Sequence, residues 1–278
     1  MRWTIYGFRA GCAIAIVLCV ASVAKLAGYY GDVREAKQQL EAARDIYRES
    51  ALDEPAPAPA STFVPMPDAA YVAMQEKLPF GMPAESPRGL VVQDRFKPLL
   101  RTNADVIGWL KIDGTTIDYP VLQADDNAYY LKKDLYRNDN VTGSIFMDYR
   151  NHIDQAERHW IVYGHYMKDE IMFKGLLKYR DEAYYREHPL IEFDTLYGDR
   201  EWLIFSAYDT NANEDYIRTA FADEDRFGAF AEELKASSLY DTGISIGPDD
   251  TVLTLSTCSR AEESGRFTVH AKLISEPA

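Results

Sequence analysis

The chain has 278 residues, enough for one large domain or two modest ones with a core of ordinary size. Its apolar fraction of 47% and charged fraction of 27% are typical of a globular protein. Most of the net charge of −14 falls in residues 88–278, which argues against nucleic acid as a partner because so acidic a domain repels the phosphate backbone.

The first 31 residues predict a transmembrane signal-anchor. Arg2 and Arg9 precede a stretch without charge from Ala10 to Ala24, and the apolar run continues after Lys25, which can snorkel to the headgroups. Positive charge before the span places the N-terminus in the cytoplasm and the rest outside the cell membrane. A cleaved signal peptide is the alternative, with Ser22-Val23-Ala24 as its processing site. The apolar run extends past that site, which favours an uncleaved anchor.

Two connecting segments follow the anchor. Residues 32–52 predict a helix with a thin apolar stripe that includes Val33, Leu40 and Tyr47, so we expect a solvated stalk or a weakly packing helix. Residues 53–87 are rich in proline, at alternate positions from Pro55 to Pro59, which predicts an extended, semi-rigid linker.

Residues 88–278 predict one mainly β domain. Many short strands and few helices indicate an antiparallel or mixed β-barrel. A helix over 223–238, with Asp223 near its N-cap, turns an apolar face inward. Further helices are expected at 96–103 and 170–179. The expected strands span 106–112, 116–122, 143–148, 160–165, 190–193, 202–208, 251–258 and 266–273.

Cys258 lies where the penultimate strand ends. Cys12 and Cys19 belong to the apolar segment, so Cys258 is the only cysteine in the exported part and has no partner there for an intramolecular disulfide. An unpaired thiol in an oxidising compartment is often catalytic. The structural alternative is a small buried hydrophobe, with Arg266 on the next strand as a surface ion-pair partner.

The five histidines do not indicate a metal site. The spacing of His152, His159 and His165 does not match a compact zinc site, so we expect neither a metal nor a cofactor. His165 follows Gly164 at a strand end, where a loop can present the imidazole to a cleft, although a hydrogen-bonded structural role is the default for a single histidine.

Taken together, Tyr163-Gly164-His165, Thr254-Leu255-Ser256-Thr257-Cys258 and Arg266 resemble the signature of the sortases, in detail the class B branch. The resemblance extends over about residues 95–275 and includes the segment Asn103–Trp109. The helix at 223–238 fits the helical insertion of class B. Three separate motifs in the family's order make the resemblance specific.

The resemblance implies an eight-stranded sortase-type β-barrel with peripheral helices, and a cysteine transpeptidase. Cys258 would attack the carbonyl after a threonine in a C-terminal sorting signal and form a thioester, with His165 as acid and base and Arg266 as oxyanion stabiliser. The partners implied are a secreted protein that carries the sorting signal and an amine of a peptidoglycan precursor or cross-bridge, or a pilin lysine.

Substrate contacts follow from the same resemblance. Ser256 and Thr257 flank the nucleophile, and four further residues resemble the family's groove wall: Asn127, Leu131, Tyr216 and Ile217. For the aromatic and aliphatic members of this set, barrel packing is an equal alternative. An Asn-Pro-x-Thr type of signal is implied. Two other functions stay open from sequence alone: an exported cysteine hydrolase or peptidase, and a non-catalytic binding module on the same scaffold.

Overall fold

The computed structural model describes residues 2–52, 89–211, 214–258 and 265–275, with side chains from residue 14 onward except those of Cys258 and Ser275. The predicted proline-rich linker at 53–87 lies outside the described residues. Within them, eight strands form a closed barrel, as expected. The strands are β1 (Val106–Lys111), β2 (Asp118–Leu122), β3 (Ile145–Met147), β4 (His159–Gly164), β5 (Leu190–Thr195), β6 (Glu201–Asn211), β7 (Val252–Cys258) and β8 (Gly265–Ser275).

The strand order around the barrel is β1-β2-β3-β4-β7-β8-β6-β5, and β5 closes on β1. Two neighbouring pairs are parallel, β2 with β3 and β4 with β7, and the other pairs are antiparallel. Pro120 lies in β2 before the pairing with β3 begins at Val121, so its missing N–H interrupts no bond to β3. The barrel is therefore mixed, and its sequence neighbours are not always its spatial neighbours.

Apolar side chains fill the barrel and also cover part of its outer face. The interior includes Leu110, Phe193, Leu253 and Leu255, which are all fully buried. A second cluster lies between β6, β7 and a helix. That helix spans Glu224–Ala236, and it buries Phe227, Phe230, Ala231 and Leu234 as the sequence predicts. Both faces of β7 are consequently buried.

Four α-helices surround the barrel within the described residues: α1 (Arg2–Leu52), α2 (Lys97–Thr102), α3 (Glu182–Glu187) and α4 (Glu224–Ala236). The Asp223 side chain caps α4 by accepting a hydrogen bond from the Arg226 backbone N–H. The helix expected at 170–179 is instead a 3₁₀-helix, Phe173–Arg180.

Of the two expectations for residues 32–52, the solvated stalk is wrong, because the helix packs on the barrel. Residues 32–52 continue the N-terminal helix without a break, and Val33, Ala36, Ala43 and Tyr47 are buried against the barrel. The Tyr47 ring stacks on Trp109 with centroids 4.4 Å apart, and its hydroxyl donates to Asp194 at 2.8 Å. From Ile14 onward, α1 is also long and apolar enough to cross a membrane.

Candidate active site

Backbone pairing brings the three predicted catalytic residues to one end of the barrel. The parallel strands β4 and β7 are in register, with Gly164 opposite Thr257, so the next residues, His165 and Cys258, follow at the same end. Cys258 in turn pairs with Arg266 on β8. Parallel neighbours end at one barrel rim, whereas β8 begins there because it runs antiparallel to β7.

Gly164 is required by space at the position before His165. A Cβ atom there would lie 2.5 Å from Ile145 Cδ1 and 2.7 Å from Phe173 Cγ. The Phe173 backbone N–H also donates to the His165 carbonyl at 3.0 Å, which holds the chain where it leaves β4. The tight fit therefore fixes the backbone from which the imidazole projects.

The His165 imidazole is oriented by a backbone carbonyl. Its Nε2 lies 2.7 Å from the carbonyl oxygen of Leu131. A carbonyl only accepts, so we assign the hydrogen to Nε2, and proton exchange then falls to Nδ1. Leu131, predicted as a groove residue, thus contacts the candidate acid/base through its backbone.

Arg266 is half-buried and held between two strands. Its backbone pairs with Cys258 on β7 and with Thr210 on β6, and its Nη1 donates to the Gly265 carbonyl at 3.0 Å. The Arg266 backbone is consequently held by both neighbouring strands, which fixes the position of its Cα atom.

Ser256 and Thr257 differ in their surroundings, although both flank Cys258. The Ser256 hydroxyl lies 2.9 Å from the Tyr216 hydroxyl, so the structure brings these two predicted contacts together on the α4 side of β7. Thr257 alternates to the opposite side, beside Gly164, and is 1% exposed. The two residues therefore do not share one surface.

A buried carboxylate that the sequence analysis missed links the remaining groove residues. Asp148, fully buried, accepts hydrogen bonds from Asn127 Nδ2 at 3.0 Å, from the Tyr163 hydroxyl at 2.9 Å and from two guanidinium nitrogens of Arg150 at 2.8 Å. Arg150 also donates to the Ile217 carbonyl at 2.9 Å. Asn127 and Ile217 are thereby joined through one ion pair.

The charge state of this pair follows from its hydrogen bonds. Burial alone raises the pKa of Asp148, but the guanidinium and backbone N–H of Arg150, with Tyr163 and Asn127, hold that pKa below its usual range. The pKa of Arg150 is raised, chiefly by its bond to Asp148. The carboxylate therefore stays ionised and holds the loops in place. Its signal in sequence, an aspartate directly after the β3 segment, is too common to single it out.

Two fully buried histidines form a second network that sequence reasoning missed. His159 Nδ1 lies 2.7 Å from the Arg218 carbonyl, so it carries the hydrogen, and Nε2 accepts from the Thr254 hydroxyl at 2.6 Å. Thr254 Oγ1 in turn accepts from His270 Nδ1 at 2.7 Å. Burial lowers the pKa of His159 to about 4 and the pKa of His270 well below its usual value. Both are therefore neutral structural residues that tie β4, β7 and β8 together.

No group of three or more His, Cys, Asp or Glu side chains that could hold a metal occurs among the residues with described side chains. The chemistry available at the barrel rim is that of a strand-end cysteine, an imidazole and a guanidinium. Such a set suits nucleophilic attack on a carbonyl, with proton transfer and stabilisation of an oxyanion.

Comparison with known proteins adds independent evidence. A model of the Sortase domain matches residues 110–274. The chain is 39% identical to "Sortase B" of Staphylococcus aureus over 185 residues, which cover 66% of this chain and 76% of that protein. It is 37% identical to "Sortase B" of Listeria monocytogenes over 188 residues, with the same coverage.

Solved structures agree with the sequence relatives. Sortase B from B. anthracis in complex with AAEK1 is 34% identical, with a TM-score of 0.69, over 88% of this chain and 99% of that one. A Staphylococcus aureus sortase B–substrate complex is 30% identical, with a TM-score of 0.69, over 88% and 98%. A sortase B complexed with triglycine is 30% identical, with a TM-score of 0.68, over 87% and 98%.

Proposed function

Since the chain belongs to the sortase family, in its class B branch, and is a cysteine transpeptidase, we propose that it joins a secreted protein to a cell-wall amine from a position on the membrane. The observation that carries the proposal is the register of three strands. Cys258 is paired with Arg266 on β8. Gly164 is paired with Thr257, and His165 and Cys258 are the residues that follow this pair on β4 and β7. The substrate complex of the S. aureus relative supports a peptide signal as donor.

In the first half-reaction the Cys258 sulfur attacks the carbonyl carbon of a threonine in the sorting signal. The C–N bond to the next residue breaks, His165 passes the proton of the Cys258 thiol to the leaving amine, and a thioester remains on the enzyme. Arg266 stabilises the negative charge on the carbonyl oxygen in the tetrahedral intermediate with fixed donors. A free thiol is only a few per cent thiolate at neutral pH, so nearby positive charge is needed to raise that fraction.

In the second half-reaction an amine of a peptidoglycan precursor or cross-bridge attacks the thioester. His165 accepts the proton from that amine, a new amide bond forms, and the Cys258 thiol is released. The complex of a relative with triglycine supports a peptide amine as acceptor. Asn127, Leu131, Tyr216 and Ile217 form the wall of the groove for the signal, and Asp148 and Arg150 hold that wall in place. Ser256 and Thr257 are buried on opposite sides of β7 and support the groove from beneath.

The location follows from α1. Its apolar part spans the membrane, and the positive charges at Arg2 and Arg9 keep the N-terminus in the cytoplasm and the barrel outside. The enzyme thereby meets membrane-bound substrates as they emerge.

The test uses the full chain in detergent micelles with a fluorogenic Asn-Pro-x-Thr type peptide, with and without triglycine. We expect a ligated product that contains the new amide bond and a thioester adduct visible by mass spectrometry. Turnover that is the same without the amine and yields only the free acid would identify a hydrolase. Absence of both adduct and turnover would identify a non-catalytic binding module.

A further inference from the structure

The helix that carries the membrane span continues directly into the helix that packs on the barrel. Side chains from Ile14 to Leu26 are mostly exposed, as lipid contact requires, and burial begins at Val33. At 1.5 Å per residue, Asp32 lies about 3 Å beyond Tyr30, the end of the apolar run. The first contacts with the barrel therefore form where the helix leaves the membrane.

Those first contacts are hydrogen bonds to one loop, residues 129–144. Gln39 Nε2 donates to Asp134 Oδ2 at 2.9 Å. The Asn140 side chain donates to the Asp32 carbonyl at 3.2 Å, and the Val141 backbone N–H donates to Asp32 Oδ2 at 3.3 Å. Further along α1, Arg48 reaches Asp118 on β2 instead. The hydrogen bonds that Asp32 and Gln39 form with the barrel domain thus all go to this loop.

The loop is folded around the group that Gln39 contacts. Asp134 is 3% exposed, and its Oδ1 accepts from the backbone N–H groups of Tyr136 and Asn138, both at 2.9 Å. Its Oδ2 is the atom that receives Gln39. A buried carboxylate oxygen that loses its donor is costly to leave unsatisfied, so the hydrogen bond from Gln39 favours this form of the loop.

The same loop orients the candidate acid/base. The Asn140 backbone N–H donates to the Lys132 carbonyl at 2.9 Å, next to Leu131, whose carbonyl oxygen lies 2.7 Å from His165 Nε2. Only two residues separate Leu131 from Asp134. A displacement of the loop at Asp134 or Asn140 therefore moves the carbonyl that fixes the imidazole.

We propose that Asp32 and Gln39 of α1 are positioning residues for His165, acting through the loop 129–144, so that the membrane helix is part of the catalytic machinery and not only an anchor. This inference rests on the proposed function for His165. It predicts that a barrel with a loosened α1 keeps its fold and binds the signal but transfers it slowly, because near-attack geometry depends on the imidazole orientation.

The experiment compares full-chain variants in micelles. We expect Gln39→Ala, and more strongly Asp32→Ala with Gln39→Ala, to lower kcat about 10-fold while KM stays within about twofold. Gln39→Lys keeps a donor of similar reach and should restore kcat. Arg48→Ala is the matched control, because it removes one hydrogen bond between the same helix and the barrel away from the loop.

A second readout does not depend on turnover. Nitrogen NMR of the imidazoles distinguishes the Nε2–H tautomer of neutral His165 from a mixture, and His165→Gln identifies the signal among the five histidines. We expect the Nε2–H form in the wild type and in Arg48→Ala, and a mixture in Gln39→Ala. Kinetics and tautomer both equal to those of Arg48→Ala would overturn the inference. A wild-type protein without transfer activity would refute the proposed function, while the tautomer comparison still tests whether Gln39 positions His165.

Discussion

Cys258 and Arg266 are directly paired residues at the last position of the β7–β8 ladder. Their backbones are therefore neighbours on two antiparallel strands. The strand register alone, without any contribution from a loop, brings the position of the proposed nucleophile next to that of a permanently charged residue.

Replacement of Cys258 tests the nucleophile. We expect Cys258→Ala to lower transpeptidation by at least about 10³-fold and to abolish the thioester adduct, because no other group supplies the sulfur. Product analysis and mass spectrometry measure both effects. Cys19→Ala, in the apolar segment, is the control and should be unchanged. An adduct that persists in Cys258→Ala would assign the chemistry elsewhere.

Replacement of Arg266 tests the oxyanion role. Arg266→Lys keeps the charge but loses the forked donor, so we expect kcat to fall about 10²–10³-fold. On the same strand, Lys272→Arg makes the reverse change at a residue that pairs with Asp250, and it should be neutral. Steady-state measurements of kcat for both variants test this prediction. Near-normal activity of Arg266→Lys would contradict the role of Arg266 in oxyanion stabilisation.

Gly164 is expected to tolerate no side chain. Gly164→Ala forces Ile145 and Phe173 aside and should cost about 1–3 kcal/mol of unfolding free energy. Activity should fall further than stability explains, because His165 is the next residue. Thermal unfolding and kcat/KM test the two effects separately.

A matched glycine provides the control for that substitution. A Cβ on Gly228, within α4, would meet Pro248 Cβ at an ordinary 3.5 Å. Gly228→Ala should therefore stabilise the protein by about 1 kcal/mol through helix propensity and leave activity unchanged. If Gly228→Ala lost as much activity as Gly164→Ala, the loss in Gly164→Ala could not be attributed to a change in the position of His165.

His159 should make the protein acid-sensitive. Burial lowers its folded pKa from 6.5 to about 4, so the unfolded chain binds this proton more readily. Its contribution is complete above pH 6.5 and decreases as pH falls to about 4, by about 3 kcal/mol in total. His270 acts in the same direction.

The measurement is denaturant unfolding of the wild type and His159→Gln at several pH values. Burial raises the pKa of Glu157 to about 7, so its contribution has the opposite sign in the same window and cancels only in the difference between the two proteins. We expect His159→Gln to be less stable at pH 7 and the two curves to converge by pH 4. Parallel curves would contradict the assignment.

Local patterns in the sequence predicted most of the secondary structure. Alternation in the last two strands and short apolar runs in the other six located all eight strands to within a few residues, and the Asp223 cap with the apolar face of 227–234 located α4. These features depend on neighbours in sequence, which is why they could be read directly. The end of β7 at Cys258 was predicted for the same reason.

The sequence by itself determined which residues are candidates for the chemistry: a single cysteine outside the apolar N-terminal segment at a strand end, a histidine after a glycine, and an arginine on the next strand. Only the tertiary structure decided how they meet, because the pairing of β4 with β7 joins residues about 90 positions apart and is set by closure of the barrel. It also decided that the polar face of β7 and β8 is buried beneath α4, and that the stalk packs on the barrel. Such contacts depend on which outer surfaces of the closed barrel are apolar and adjacent to a helix. That arrangement follows from the order of the strands, which local periodicity does not predict.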